Sequence, residues 1–73
     1  MTTKYSKNYK EIGKKISYYR KQSGLTQQDL ADLVGISKSY LSKIEAPNTN
    51  KSYSLDVLFG IAEALKINIK DLF

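Results

Sequence analysis

Seventy-three residues, 41% of them apolar, support one domain with one small core. The chain has no cysteine and no histidine, which excludes disulfides and the usual zinc ligand sets, so packing alone must hold the fold. The formal net charge is +5, and it is uneven: residues 1–25 carry seven cations against one acid, residues 26–73 five against six. Such crowding points to a polyanion partner, of which nucleic acid is the commonest. An anionic membrane is the competing polyanion, but the apolar face of the first predicted helix is needed for the core. No apolar run approaches the ~20 residues of a membrane span, and no leader pattern suggests export. A cytoplasmic protein with no membrane partner is expected.

In chain order, residues 1–6 are polar, basic and aperiodic, and read as a flexible arm preceding a single domain over residues 7–73. From about 7 to 22, Tyr9, Ile12, Ile16 and Tyr19 recur at steps of three and four, the stripe of a helix facing a core. Gly13 inside that helix costs roughly 1 kcal/mol relative to alanine, so it marks the close approach of a neighbouring helix. Gly24 ends the helix, with Lys21 in its last turn. Tyr18 falls off the stripe and reads as a surface aromatic.

Two short amphipathic patterns follow, with one glycine between them. In the first, over about 27–34, Leu30, Ala31 and Val34 make one helix face. Thr26 and Asp29 stand as a capping pair at its start. Gly35 can take positive φ and reverse the chain, and Ile36 is placed to pin the turn onto the core. In the second, over about 38–45, Ser37 is the N-cap candidate and Leu41 with Ile44 the buried pair. The remaining positions, Lys38, Ser39, Tyr40, Ser42 and Lys43, contain no acid. A bland exposed helix mixes its charges; this face offers ammonium and hydroxyl donors suited to groove edges and phosphates.

Residues 46–53 form a polar loop around Pro47. Ser54 caps a fourth helix over about 55–65, in which Leu55, Leu58, Ile61, Ala62 and Leu65 form the strongest apolar stripe of the chain. Val57 and Phe59 widen that stripe, which predicts the most buried helix. Asn68 and Asp71 form a last capping pair for a one-turn helix over 69–73, with Leu72 and Phe73 as terminal apolar plugs. The predicted core is Ile12, Ile16, Leu30, Ala31, Val34, Leu41, Ile44, Leu58, Ile61, Ala62 and Leu65.

Catalysis has little to work with. There is no histidine base, no cysteine nucleophile, no glycine-rich phosphate loop and no carboxylate cluster with metal spacing. The acids lie singly, mostly at helix starts, where capping accounts for them. No enzyme, cofactor or metal site is expected.

The stretch Gly24-Leu25-Thr26-Gln27, Leu30-Ala31, Val34-Gly35-Ile36-Ser37 and Tyr40-Leu41-Ser42-Lys43-Ile44-Glu45 resembles the helix-turn-helix of the Cro and phage-repressor family, also called the xenobiotic-response-element type. The similarity extends from Ile12-Gly13 to Phe73 and implies an all-α, compact, five-helix, lambda-repressor-like DNA-binding domain with helices two and three as the motif. After Glu45 the family commonly has a polar residue and a glycine, where this chain has Ala46-Pro47. The resemblance implies a transcriptional regulator, a repressor first, with its third helix in the major groove of double-stranded DNA. By position in the motif, Lys38, Ser39 and Lys43 are the base-edge candidates, with Ser42 on the same face. Gln27 is placed to offer its amide and backbone N–H to a phosphate, and Ser37, Asn48, Thr49 and Lys51 join it as phosphate contacts. Tyr40 either bonds a phosphate or packs against helix two. The family pairs the positions of Arg20 and Glu45, a structural ion pair first, with a phosphate contact for Arg20 second.

One short helix reads only a few base pairs, so a homodimer on a pseudo-palindromic operator is expected. Tyr18, Phe59, Ile67, Ile69 and Phe73 are candidate dimer surfaces. The alternative is a protein-interaction module, such as the DNA-binding antitoxin of a toxin–antitoxin pair, or a plain helical adaptor. Either should expose an apolar patch on the third helix, where this sequence has only Tyr40.

Overall fold

The computed structural model describes residues 4–46 and 53–73. Four α-helices run through them: α1 (Ser6–Gln22), α2 (Gln27–Val34), α3 (Lys38–Glu45) and α4 (Leu55–Leu65). A 3-10 turn over Ile69–Leu72 follows, and no strand occurs among the described residues. The expected fifth helix is thus corrected to a 3-10 turn. The Phe73 amide donates to the Lys70 carbonyl at 3.1 Å, and the Asp71 amide to the Asn68 carbonyl at 2.9 Å. Both bonds span three residues, and four residues are too few to build a ladder that spans four. At the other end, Lys4 and Tyr5 form a turn and Ser6 opens α1, one residue before the expected start of the helix; residues 1–3 of the expected arm lie outside the described residues.

The helix starts follow from local chemistry. The Thr26 hydroxyl accepts the Asp29 amide at 3.0 Å, and the Asp29 carboxylate accepts the Thr26 amide at 3.0 Å. Ser37 and Ser54 accept the amides of Tyr40 and Val57 in the same way, at 3.0 and 3.3 Å. Each cap satisfies a first-turn donor that a helix cannot satisfy itself. The two bonds from Thr26 also hold the Asp29 carboxyl below its ordinary pKa.

In the packing, α1 lies on α3, α2 on both α3 and α4, and the 3-10 turn closes against α4 and α1. The α1–α3 contact runs over Gly13: a Cβ there would overlap the carbonyl oxygen of Ile44, which is the close approach its position predicts. The Lys15 ammonium donates to the Phe73 carbonyl and ties the last turn to α1.

Ten of the eleven predicted core residues are buried; Val34 is half-buried. It ends α2 and lays its Cγ1 over Gly60, where an added Cβ would come within 3.2 Å. The apolar flank of α4 is corrected as well. Leu55 and Phe59, one turn apart, are 58% and 55% exposed, against 3% for Leu58 on the inward face. Of the two terminal plugs, Leu72 is fully buried while Phe73 is 60% exposed. Successive residues of a 3-10 turn point about 120° apart, so only one of the pair can face the core.

Tyr53, read as loop, belongs to the core. Its hydroxyl donates to the Tyr9 carbonyl at 2.9 Å, and the two rings meet edge to face at 5.0 Å between centroids. Burial, then the neighbouring phenols of Tyr9 and Tyr40, push its pKa well above the ordinary tyrosine value. The available signal was its place just before the Ser54 cap, five residues ahead of Leu58: the two occupy the N′ and N4 positions of a hydrophobic staple.

Candidate nucleic-acid interface

Three elements build the site. The capping box starts α2, and helix geometry leaves the first-turn amides of Gln27 and Gln28 without an intrahelical acceptor. Gly35, at φ 85° and ψ 29°, reverses the chain after α2. This left-handed conformation lets the Gly35 and Ile36 amides both reach the Ala31 carbonyl, at 2.8 and 3.0 Å. Ser37 is extended and launches α3, with Leu41 and Ile44 turned inward.

This arrangement leaves Lys38, Ser39, Ser42 and Lys43 exposed together, related by steps of three and four along one helix face. Ser37 is exposed at the head of α3, with its oxygen engaged as the cap. Tyr40 is half-buried against the core. Asn48, Thr49 and Lys51 lie outside the described residues. α3 stops at Glu45 because Ala46 takes an extended conformation, φ −68° and ψ 136°, the one favoured before a proline.

Arg20 and Glu45 meet as a fork on a fork: Arg20 Nε to Glu45 Oε2 at 2.8 Å, and Nη2 to Oε1 at 3.0 Å. Arg20 Nη1 donates to the Leu25 carbonyl at 2.8 Å. The residue is 8% exposed, so its guanidinium is used inside the domain and is poorly placed for the second role expected of it, a phosphate contact. The sequence reading missed one member of this group. Gln27 donates its side-chain Nε2 to Glu45 Oε1 at 3.1 Å, so the amide expected to face outward is partly held by the protein itself.

A capped eight-residue helix, a left-handed glycine turn and a second capped helix with an exposed donor face constitute a helix-turn-helix. The family model described as helix-turn-helix matches residues 16–72. The chain belongs to the helix-turn-helix family, in its Cro and phage-repressor branch. Among the relatives of this helix-turn-helix chain is the competence pilus inhibition repressor of Acinetobacter baylyi, 38% identical over 63 residues, which are 86% of this chain and 56% of that protein. The HTH-type transcriptional regulator SinR of Bacillus subtilis is 36% identical over 61 residues, 84% of this chain and 54% of that one. The chain therefore spans about half the length of these curated relatives. Among solved structures, the restriction-modification controller protein C.AhdI from Aeromonas hydrophila superposes with a TM-score of 0.83 at 30% identity, covering 90% of this chain and 97% of that one. SinR solved in complex with DNA superposes with a TM-score of 0.77 at 36% identity, covering 84% and 95%. No helix among the described residues is long and apolar enough to cross a membrane.

Proposed function

We propose that this protein binds double-stranded DNA sequence-specifically and regulates transcription, as a repressor, in the cytoplasm and without catalysis. The observation that carries the reading is the acid-free exposed face of α3, set behind a glycine turn in a chain of this family. An α-helix fits the B-form major groove, and the second helix of such a pair brings side chains to base edges. Lys38, Ser39, Ser42 and Lys43 read bases. Gln27, Ser37 and Tyr40 contact phosphates, joined by Asn48, Thr49 and Lys51 of the following loop. A homodimer doubles the short reading surface on a pseudo-palindromic operator.

The test is selection of a binding site from random duplexes, followed by titration of variants against selected and scrambled DNA at several salt concentrations. Lys38→Ala or Ser39→Ala should change which sequence is preferred, at ~1–3 kcal/mol per lost base contact. Lys51→Ala should weaken every duplex alike and lower the salt slope by roughly one charge. Equal loss on both duplexes for Lys38→Ala would show that its amine serves phosphate alone and would move the reading face elsewhere.

A further inference from the structure

Glu45 does more than neutralise an arginine. Its Oε2 accepts Arg20 Nε at 2.8 Å, and its Oε1 accepts both Arg20 Nη2 at 3.0 Å and Gln27 Nε2 at 3.1 Å. Arg20 Nη1 meanwhile holds the Leu25 carbonyl, two residues ahead of Gln27, at 2.8 Å. The carboxylate thus ties the end of α1 and the first residue of α2 to the last residue of α3, and Arg20 adds the lead into α2. The side chains of Arg20 and Glu45 are 10% and 4% exposed, so solvent screens this node little.

A carboxylate only accepts hydrogen bonds, which requires the amide of Gln27 to turn its nitrogen toward Glu45. One N–H of that amide remains outside the bond, next to the backbone N–H groups of the first turn of α2. A loose glutamine loses rotamer freedom when it grips a ligand, whereas one held by Glu45 has lost it already on folding. Arg20 cancels the charge that would otherwise repel an anion from this spot.

We propose that Glu45 is a positioning residue for DNA: held by Arg20, it sets the side chain of Gln27 so that the free amide N–H and the α2 backbone converge on one phosphate. The node also fixes the distance between that phosphate grip and the reading face of α3. This inference rests on the DNA-binding reading above.

A double-mutant cycle in DNA affinity tests it, with the selected duplex as probe, at one salt concentration, well below the melting midpoint of every variant. The paired replacement Arg20→Met/Glu45→Met removes the node with apolar side chains of similar length, a change that buried ion pairs often tolerate. With Gln27 present, the replacement should weaken binding about three- to tenfold, and so should Gln27→Ala alone. With Ala at position 27, the same replacement should cost less than about twofold. An equal loss in both backgrounds overturns the proposal, because the carboxylate would then act by some route other than Gln27. A second measurement needs no variant. In the free protein, the heteronuclear NOE of the Gln27 side-chain amide should be that of a rigid group, unlike that of the exposed Gln22. Equal mobility of the two amides overturns the proposal. Failure of the unaltered protein to bind any duplex at low salt would overturn the DNA reading and this role together, while a rigid Gln27 amide would still identify the clamp as structural.

Discussion

Burying a guanidinium costs several kcal/mol unless its donors are met, and Arg20 meets them with a carboxylate fork and a backbone carbonyl. Arg20→Ala or Glu45→Ala alone should therefore destabilise folding by ~3–5 kcal/mol, since each leaves an uncompensated buried charge. The double mutant should lose less than the sum, as read from urea midpoints and slopes. Simple additivity would mean the two side chains do not touch. This pair was legible in the sequence only through the family's motif positions. Its third member was not legible: Gln27 and Glu45 stand 18 residues apart, and a lone glutamine in a helix start carries no periodic signal. The exposed face of Lys38, Ser39, Ser42 and Lys43 was legible, because two core residues at a step of three fix the inward side of a helix and leave the opposite side outside.

At the scale of the elements, two backbone positions oppose ordinary helix preferences in ways that can be measured. Gly13 gives way to alanine favourably in an isolated helix, by roughly 1 kcal/mol. Here the added Cβ would overlap a backbone carbonyl of α3, which cannot move without moving the helix. Gly13→Ala should therefore destabilise by ~1–3 kcal/mol on thermal or urea melting. A more stable alanine variant would mean that α1 and α3 do not approach as closely as the structure has them. Lys66 is the opposite case. It ends α4 in the left-handed region, at φ 59° and ψ 39°, where a Cβ is unfavourable. Lys66→Gly should raise stability by about 1 kcal/mol, seen as a higher urea midpoint at unchanged slope. No gain would show that the lysine side chain stabilises that turn by a comparable amount. The glycine ends of α1 and α2 were readable as residue types, whereas a left-handed lysine was not. Its conformation is imposed by the bonds of Lys66 and Ile67 back to α4, at 3.1 and 3.0 Å.

Across the whole molecule, Tyr53 joins the residue ahead of α4 to α1, 44 residues away, and should make folding sensitive to alkali. Its folded pKa is raised, so the stabilisation is fully present below the unfolded value of about 10 and is lost as pH climbs toward the folded one. One pH unit above 10, the loss should be roughly 1 kcal/mol. Tyr53→Phe should flatten that alkaline decline while costing ~1 kcal/mol at neutral pH for the lost hydrogen bond. An unchanged alkaline limb in the variant would place the titrating group elsewhere.

The sequence by itself determined the four helices of the described residues, the hydroxyl caps of α2, α3 and α4, the Gly35 reversal and the inward face of each helix. All of these depend on residues within about one turn of one another, where capping geometry and the 3.6-residue period act directly. Only the tertiary structure decided which borderline apolar residues are covered. Tyr53 and Leu72 went in, while Leu55, Phe59 and Phe73 stayed out. It also decided that the last segment closes as a 3-10 turn and that Glu45 holds Gln27 as well as Arg20. Burial at the flank of a stripe, and contact between distant polar groups, depend on which elements meet and at what angle. That is a property of the packed whole, to which no local pattern in the chain corresponds.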